Sequence, residues 1–307
     1  MMHVGLRYFA AVARCGSIRE AAEELHVAQS ALSRQIQKLE DELSAPLFQR
    51  HSRGVELTSA GEILLSYAQT SQRQVERVRS EVDALKGLRR GVVHVHAIES
   101  LVMHLLPQVI ARFNRRHPGI QFDVSIEGSD RILVAVREGR TDIGLTFHPP
   151  ADPELATAFK VRAPLVAMMS SQHPMAGRTK VSIAECAAYP IATAMPNTGS
   201  GMLIDLACKA AGVHFKPVLQ VNSIPLRVAF LRDGNGVTFL PRLSAWDGLR
   251  SGELVGVPIR DRIVNTCTID AVTHVSRQLP LAAEEFLRAV QGELQDLRIS
   301  TQDAAAA

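Results

Sequence analysis

Ser30, Ser33, Arg34, Gln37 and Lys38 lie on one side of a helical segment whose other side carries Leu32, Ile36, Leu39 and Leu43. Apolar steps of four, three and four are the helical period, so the leucine and isoleucine side is expected to face a core. Hydroxyl, amide, guanidinium and ammonium groups on the short opposite face can donate to phosphate oxygens and base edges. A helix anchored on one side and polar on the other fits the major groove of double-stranded DNA. Gln29, at the start of the segment, belongs to the same candidate set. An ordinary amphipathic surface helix shows the same periodicity, so the flanking sequence has to decide between the two readings.

The flanks supply the parts that would hold such a helix against DNA. Ser17 is placed to cap a preceding helix whose Ala21, Ala22 and Leu25 are small enough for a close crossing. Before it, MMHVGLRYFAAVARCGS reads as a first helix with Leu6, Phe9, Ala10, Val12 and Ala13 inward. Arg7 interrupts the apolar run and Arg14 stands directly before Cys15, which argues against a cleaved leader. After Leu43, Pro46, Leu47 and Phe48 re-enter the core. The hairpin-like QRHSRGVEL then brings Arg50, His51 and Arg53 near its tip, with Gly54 available for the turn. A basic hairpin beside a recognition helix is a wing. Phe9, Ser17, Ala21-Ala22, Leu25, Ala31 to Ser33, Ile36, Leu39-Glu40, Leu47-Phe48, Arg50, Leu57-Thr58 and Ala60-Gly61 together resemble the winged helix-turn-helix of the LysR-type bacterial transcriptional regulators. One departure is Ser44, where that family usually has Gly. A left-handed residue there costs more with Ser, which affects the angle at which the chain leaves for the wing.

Composition agrees with a cytoplasmic regulator without pointing to one. The 307 residues exceed one ordinary domain, 46% of them are hydrophobic, and the net charge is only +3. Residues 1–60 hold seven basic and seven acidic side chains, so DNA binding would rest on where charges sit. The acids cluster at Glu20, Glu23, Glu24 and Glu40 to Glu42, away from Arg34, Arg50 and Arg53. No apolar run approaches membrane-spanning length. Cys15, Cys186, Cys208 and Cys267 lack metal-ligand spacing and a basic setting, so they are expected to be plain thiols in a reducing cytosol.

From Thr58 to about Gly87 the pattern is one long helix. Ser59 and Glu62 have capping-box spacing, and Ala68, Ser71, Val75, Val78, Val82 and Leu85 form a seam. The expected partner is the same helix of a second subunit, placing two reading heads on one DNA; packing on the chain's own C-terminal part is the competing arrangement. Gly87 and the following LRRG read as a hinge. Beyond it short strands alternate with helices: strand 92–97, helix 101–117, strand 121–126, helix 130–138 and strand 142–147. A second set runs from Leu165 to Phe239: strands 165–169, 190–193, 218–221 and 236–239 with helices 183–187, 201–211 and 224–232. Two α/β lobes on parallel or mixed sheets are implied. A strand at 267–275 and a helix at 282–297 are expected to return to the first lobe, as in the periplasmic-binding-protein-like sensor domain of LysR-type proteins.

The resemblance extends over nearly the whole chain through LLPQVIARFNRRHPGI, EGS, REGRTDIGL, SQHPMA and LRDGNGVTFLP. It implies an α+β multidomain protein: a winged helix-turn-helix at 1–58, a linker helix and hinge at 59–90, and an effector-binding domain at 91–300. Lobe I would take about 91–163 and 267–300, lobe II about 164–266. By the same resemblance Ser100, Ser129, Phe147, Asn197 and Thr198 would contact a small-molecule co-inducer in the cleft between lobes. Hydroxyl and amide groups at helix starts can hold a polar oxygen. Glu99 and Asp130 beside them would repel a small anion unless they point away, which leaves a neutral or cationic effector open.

Other chemistries have weaker signals. His94 and His96 share one strand face near Glu99, but a zinc site needs three or four converging ligands. The Gly199-Ser200-Gly201 turn lacks the GxSxG elbow of a serine hydrolase, and no phosphate-binding glycine loop is present. The expectation is therefore a transcriptional regulator and not an enzyme, without metal or resident cofactor. It would bind promoter DNA as a homodimer or homotetramer, nucleoid-associated when bound, away from membranes, and touch RNA polymerase if it activates. A DNA-compacting protein whose sensor fold has lost its ligand is the alternative.

Overall fold

The computed structural model describes residues 4–51, 54–84, 90–196 and 198–303. The chain divides into two compact units, one spanning Met1–Leu85 with Glu138–Arg140, the other the remainder. The first contains helices α1 (Val4–Cys15), α2 (Ile18–Glu24) and α3 (Gln29–Leu43), strands β1 (Phe48–His51) and β2 (Gly54–Leu57), and the long helix α4 (Ser59–Ala84). Its core is Phe9, Val12, Ala21, Ala22, Leu32, Ile36, Leu39, Leu47 and Phe48. The Phe9 and Phe48 rings lie 5.1 Å apart, tying α1 to the wing. On α1 the buried alanine is Ala11, with Ala10 and Ala13 only half-buried, a shift of one position within the expected face. Leu43 differs more. It is 50% exposed, because α3 ends there and Ser44 turns left-handed at φ 51°.

Two local details replace sequence expectations. The side chain that caps α4 is Thr58, whose hydroxyl accepts the Gly61 N–H at 3.0 Å and donates to the Pro46 carbonyl at 2.6 Å. The third helical position is then Gly61, so the Ser59–Glu62 capping box does not form. Gly54 opens β2 at φ 142°, and a Cβ on it would lie 2.4 Å from the Gly16 carbonyl oxygen. Its role is close approach between the wing and the α1–α2 turn.

The second unit begins with β3 (Gly91–Ala97), a 3-10 turn at Glu99–Leu101, α5 (Leu105–Arg116), β4 (Ile120–Ile126), α6 (Ser129–Arg137), β5 (Ile143–Phe147) and β6 (Leu155–Arg162). It continues through β7 (Leu165–Ser170), α7 (Ile183–Cys186), β8 (Ile191–Thr193), α8 (Gly199–Ala210), β9 (Leu219–Gln220), α9 (Ile224–Phe230) and β10 (Val237–Pro241). Then come α10 (Trp246–Ser251), β11 (Leu254–Pro258), α11 (Arg262–Asn265), β12 (Thr268–His274) and α12 (Leu281–Asp303). Two five-stranded sheets result, ordered β4-β3-β5-β12-β6 and β11-β7-β10-β8-β9. In the first, β3 runs parallel to β4 and β5, while β12 runs antiparallel to β5 and β6. The chain leaves the first sheet after β6 and returns to it with β12, so each lobe has its own sheet and the segments near 163 and 259–267 cross between them. The helix expected at 101–117 is split, its first turn being 3-10 and α5 starting only at Leu105. Strands β6 and β11 and helices α10 and α11 were not read from the sequence. Gly144 lets α6 settle on β5, since a Cβ there would lie 2.8 Å from Ile132, Val136 and Val272 methyls.

Candidate nucleic-acid interface and effector cleft

Helix α3 carries its candidate contacts as the periodicity requires. Gln29, Ser30, Arg34, Gln37 and Lys38 are exposed and Ser33 is half-buried, opposite buried Leu32, Ile36 and Leu39. Their charge states differ in availability. Lys38 lies 3.7 Å from Glu42, and Gln37 donates to Asp41 at 3.1 Å. Arg34 has no ion-pair partner among the described residues. An exposed i,i+4 pair is worth about 0–1 kcal/mol, so phosphate can displace Glu42 from Lys38. Arg50 is in β1 of the wing; Arg53 lies outside the described residues. Glu40, read above as one of an acidic cluster, has a structural task. Its carboxylate accepts the Leu47 N–H at 2.8 Å and the Phe48 N–H at 3.4 Å, fixing the path from α3 into the wing.

On α4, Ala68 is buried, whereas Val78 is 59% exposed. Ile63 and Tyr67, one turn apart on the same helix, are 74% and 61% exposed. The outward apolar stripe thus starts earlier than the expected seam. Positions 85–89, with the expected hinge, lie outside the described residues.

In the sensor unit several predicted positions converge. Ser129, first in α6, accepts the Phe147 N–H at 3.3 Å through its hydroxyl, which also lies 3.4 Å from the Phe147 carbonyl oxygen. A Cβ on Gly199 would meet the same carbonyl at 3.5 Å and the Phe147 ring at 3.7 Å, so lobe II approaches lobe I here. Thr198 caps α8, accepting the Gly201 N–H at 3.1 Å. Ser100 is buried in the 3-10 turn. Asn197 lies outside the described residues. A second approach between lobes involves Glu99, whose carboxylate accepts the Ile224 N–H of α9 at 2.7 Å. One turn along α9, Arg227 is 3% exposed, and burial pushes its guanidinium down to about 10 while the Glu99 charge opposes that fall. Its Nε has no hydrogen-bond partner among the described residues. Glu99 therefore accepts a backbone N–H and feels the charge of a buried cation, and it does not stand as a bare charge at the cleft. Arg227 was missed because only the fold brings α9 against the 3-10 turn.

The remaining candidates have local partners. His94 faces Asp123 of β4 at 3.3 Å, and His96 faces Glu127, the residue after β4, at 3.6 Å. Among the described residues no cluster of three or more His, Cys, Asp or Glu could hold a metal ion. Burial pushes the Cys186 thiol up to about 12 and those of Cys208 and Cys267 up to about 11, which disfavours the reactive thiolate. No described helix is long and apolar enough to cross a membrane.

Comparison with known proteins accounts for both units. Residues 4–62 match the family model described as a bacterial regulatory helix-turn-helix protein of the lysR family, and residues 86–295 match the LysR substrate binding domain. A RuBisCO operon transcriptional regulator of Allochromatium vinosum is 34% identical over 240 residues, covering 77% of this chain and 79% of that protein. The transcriptional activator CmpR of a Synechocystis species is 24% identical over 284 residues, covering 91% of each. Among solved structures, full-length CbnR bound to its target DNA superposes with a TM-score of 0.69 at 21% identity, covering 95% of this chain and all of that one. A full-length OxyR from Pseudomonas aeruginosa gives 0.70 at 22% identity, covering 95% and 93%.

Proposed function

The chain belongs to the LysR family of bacterial transcriptional regulators, and from that premise we propose that it acts as a homo-oligomer whose winged domains bind an inverted repeat in promoter DNA. It is a DNA-binding regulator under small-molecule control and not an enzyme. The observation that carries the finer reading is α3, which stands off a packed face and presents an exposed Arg34 with no ion-pair partner among the described residues. Arg34 would read a base edge, together with Gln29, Ser30 and Ser33. Lys38, Arg50 and Arg53 would hold phosphates and set the register. The exposed Ile63, Tyr67 and Val78 stripe supports pairing of α4 with its copy, giving a dimer and, through the sensor units, a tetramer.

The co-inducer site would lie between the lobes, at Ser100, Ser129, Phe147, Asn197 and Thr198. Support comes from the two places where the lobes already approach each other, Phe147 with Gly199 and Glu99 with Ile224. A ligand inserted there changes the lobe arrangement only by its differential affinity for the two states, and the linker would carry that shift to the spacing of the reading heads. The protein would work in the cytoplasm, on the nucleoid, and would contact RNA polymerase where it activates.

The test is a nuclease footprint of the full-length protein on DNA upstream of its own gene, at near-physiological salt with competitor DNA. Two protected blocks separated by whole helical turns are expected. Diffuse coverage there and on every promoter tested would favour an architectural protein instead.

A further inference from the structure

Three buried polar atoms on one side of lobe II have no hydrogen-bond partner among the described residues: Arg227 Nε, Thr238 Oγ1 and Ser244 Oγ. On β10, Val237 and Phe239 point into the main core, so Thr238 points to the other face of the sheet, beside its strand partner Met168. Val228 of α9 and Leu231 just after it pack with Val166 and Met168 on that same face, and Ala245, next to Ser244, joins them. One turn back from Leu231 on the inward side of α9 stands Arg227, and before it Ile224, both buried. The three orphan groups therefore share the layer between α9 and the sheet. The 3-10 turn that carries Ser244 meets the Glu99–Leu101 turn of lobe I, so this layer opens toward the other lobe.

Arg227 sets the chemistry of that layer. No carboxylate lies within ion-pair distance of it among the described residues. Glu99 of lobe I is the acid whose charge reaches it, and one oxygen of that carboxylate is spent on the Ile224 N–H at 2.7 Å. Burial pushes the guanidinium down to about 10, so it is still a cation at neutral pH. Ordered water can satisfy a buried hydroxyl, but it cannot neutralise a buried guanidinium. A fold that keeps such a cation without a pairing partner gives up stability for it, which is the pattern of a group held ready for a ligand.

We infer that Arg227 is the specificity anchor of the effector cleft: it takes the carboxylate of a small monocarboxylic effector, with Thr238 and Ser244 donating to the remaining oxygen lone pairs, and the effector competes with Glu99 for this cation. The assignment rests on the reading that the effector binds between the lobes. Nε and one Nη of a guanidinium present two parallel N–H groups that match a carboxylate. One negative charge balances Arg227, whereas a phosphate dianion would bring a second charge against Glu99. Once the guanidinium is neutralised by the ligand, Glu99 loses its electrostatic attraction to lobe II and only the Ile224 N–H holds it there. Occupancy thereby changes the relative stability of the two lobe arrangements.

The test follows sensor-unit melting in the full-length protein during titration with sodium glycolate, against glycolamide and sodium chloride. Glycolate should raise the melting temperature saturably and the two controls should not. Inorganic phosphate should raise it less than glycolate at equal concentration. Arg227→Met, similar in length and uncharged, should weaken the glycolate response about tenfold or more. Its ligand-free melting temperature should be unchanged or higher, which loss of a merely structural arginine would not give. Glu99→Gln keeps an oxygen for the Ile224 N–H and removes the competitor, so glycolate should bind several-fold tighter. The inference is overturned by a flat glycolate titration, by an equal response to glycolamide, by a stronger response to phosphate or by unaltered affinity in Arg227→Met. An Arg227→Met protein that melts far below the parent, or a Glu99→Gln protein that binds glycolate no tighter, overturns it as well. Ser129→Ala should weaken the response less than Arg227→Met does. The reverse order overturns the anchor and leaves the cleft reading intact, while a response abolished by Arg227→Met and untouched by Ser129→Ala supports the anchor and removes Ser129 from the cleft.

Discussion

Helix α3 and the inter-lobe cleft hold their candidate side chains in opposite ways. On α3 the scaffold is on one face and the candidate contacts on the other, so Arg34 is exposed with no ion-pair partner among the described residues while Leu32 and Ile36 are fully packed. In the cleft, groups that would meet a ligand also build the protein, Ser129 binding the Phe147 backbone and Thr198 capping α8, while neighbouring Glu99 accepts from Ile224. A face that is free in the absence of its partner suits DNA, whose phosphates bring their own charge. A face whose polar groups are already engaged suits switching, because a ligand has to replace contacts that define one lobe arrangement.

That contrast can be broken most severely at Gly61, where a Cβ would sit 2.2 Å from the Leu47 carbonyl oxygen and 2.8 Å from a Leu57 methyl. Gly61→Ala is expected to cost the winged unit about 2–3 kcal/mol and to abolish DNA binding while melting of the sensor unit stays in place. Calorimetry of the full chain showing one unchanged transition would contradict this. The next effect concerns the free cation itself. Arg34→Ala should flatten sequence preference by about 1–3 kcal/mol if it is bidentate to guanine, whereas Arg53→Ala should weaken all sequences alike and reduce the salt slope by about one. Competition binding on specific and random DNA would show equal losses for both variants if that division of labour is wrong.

A smaller effect separates the units by pH. Burial lowers the pKa of His104 and of His173 in the sensor unit. Below about pH 6.5 the unfolded chain then binds more protons than the folded one, so the stability these residues support is complete above that pH and is lost as pH falls through it. Melting of the sensor unit should drop over that range and the drop should shrink in His173→Gln; an unaltered pH profile in the variant would rule this histidine out as a source. The smallest effect is at Ser44, left-handed at the end of α3. Ser44→Gly should stabilise the winged unit by about 0.5–1 kcal/mol, and a denaturant midpoint that falls would mean the Ser conformation carries no strain.

The winged unit was legible because its elements are consecutive and short-range. Ser17 does cap α2, accepting the Glu20 N–H at 3.3 Å, and the period of α3 is visible over fifteen residues. Its errors were at edges, where Leu43 left the core and Thr58 took the capping role. The sensor lobes were legible as alternation but not as contacts. Strand β6 is half-buried or exposed over its first four residues and alternates only from Phe159 onward, too short a pattern to announce a strand, and it forms because β12 pairs with it.

The amino-acid order by itself determined the winged helix-turn-helix, the long helix after it and the two-lobed α/β plan, because hydrophobic period and capping residues act over a few residues and need no distant partner. Only the tertiary structure decided which groups share a site. Arg227 meets the field of Glu99 across 128 positions of chain, and Ser129 and Gly199 come to Phe147 from different lobes. Such pairings depend on how sheets stack and strands cross between lobes, and the free energy that creates them is the burial of apolar faces that have no preference for any particular charged neighbour.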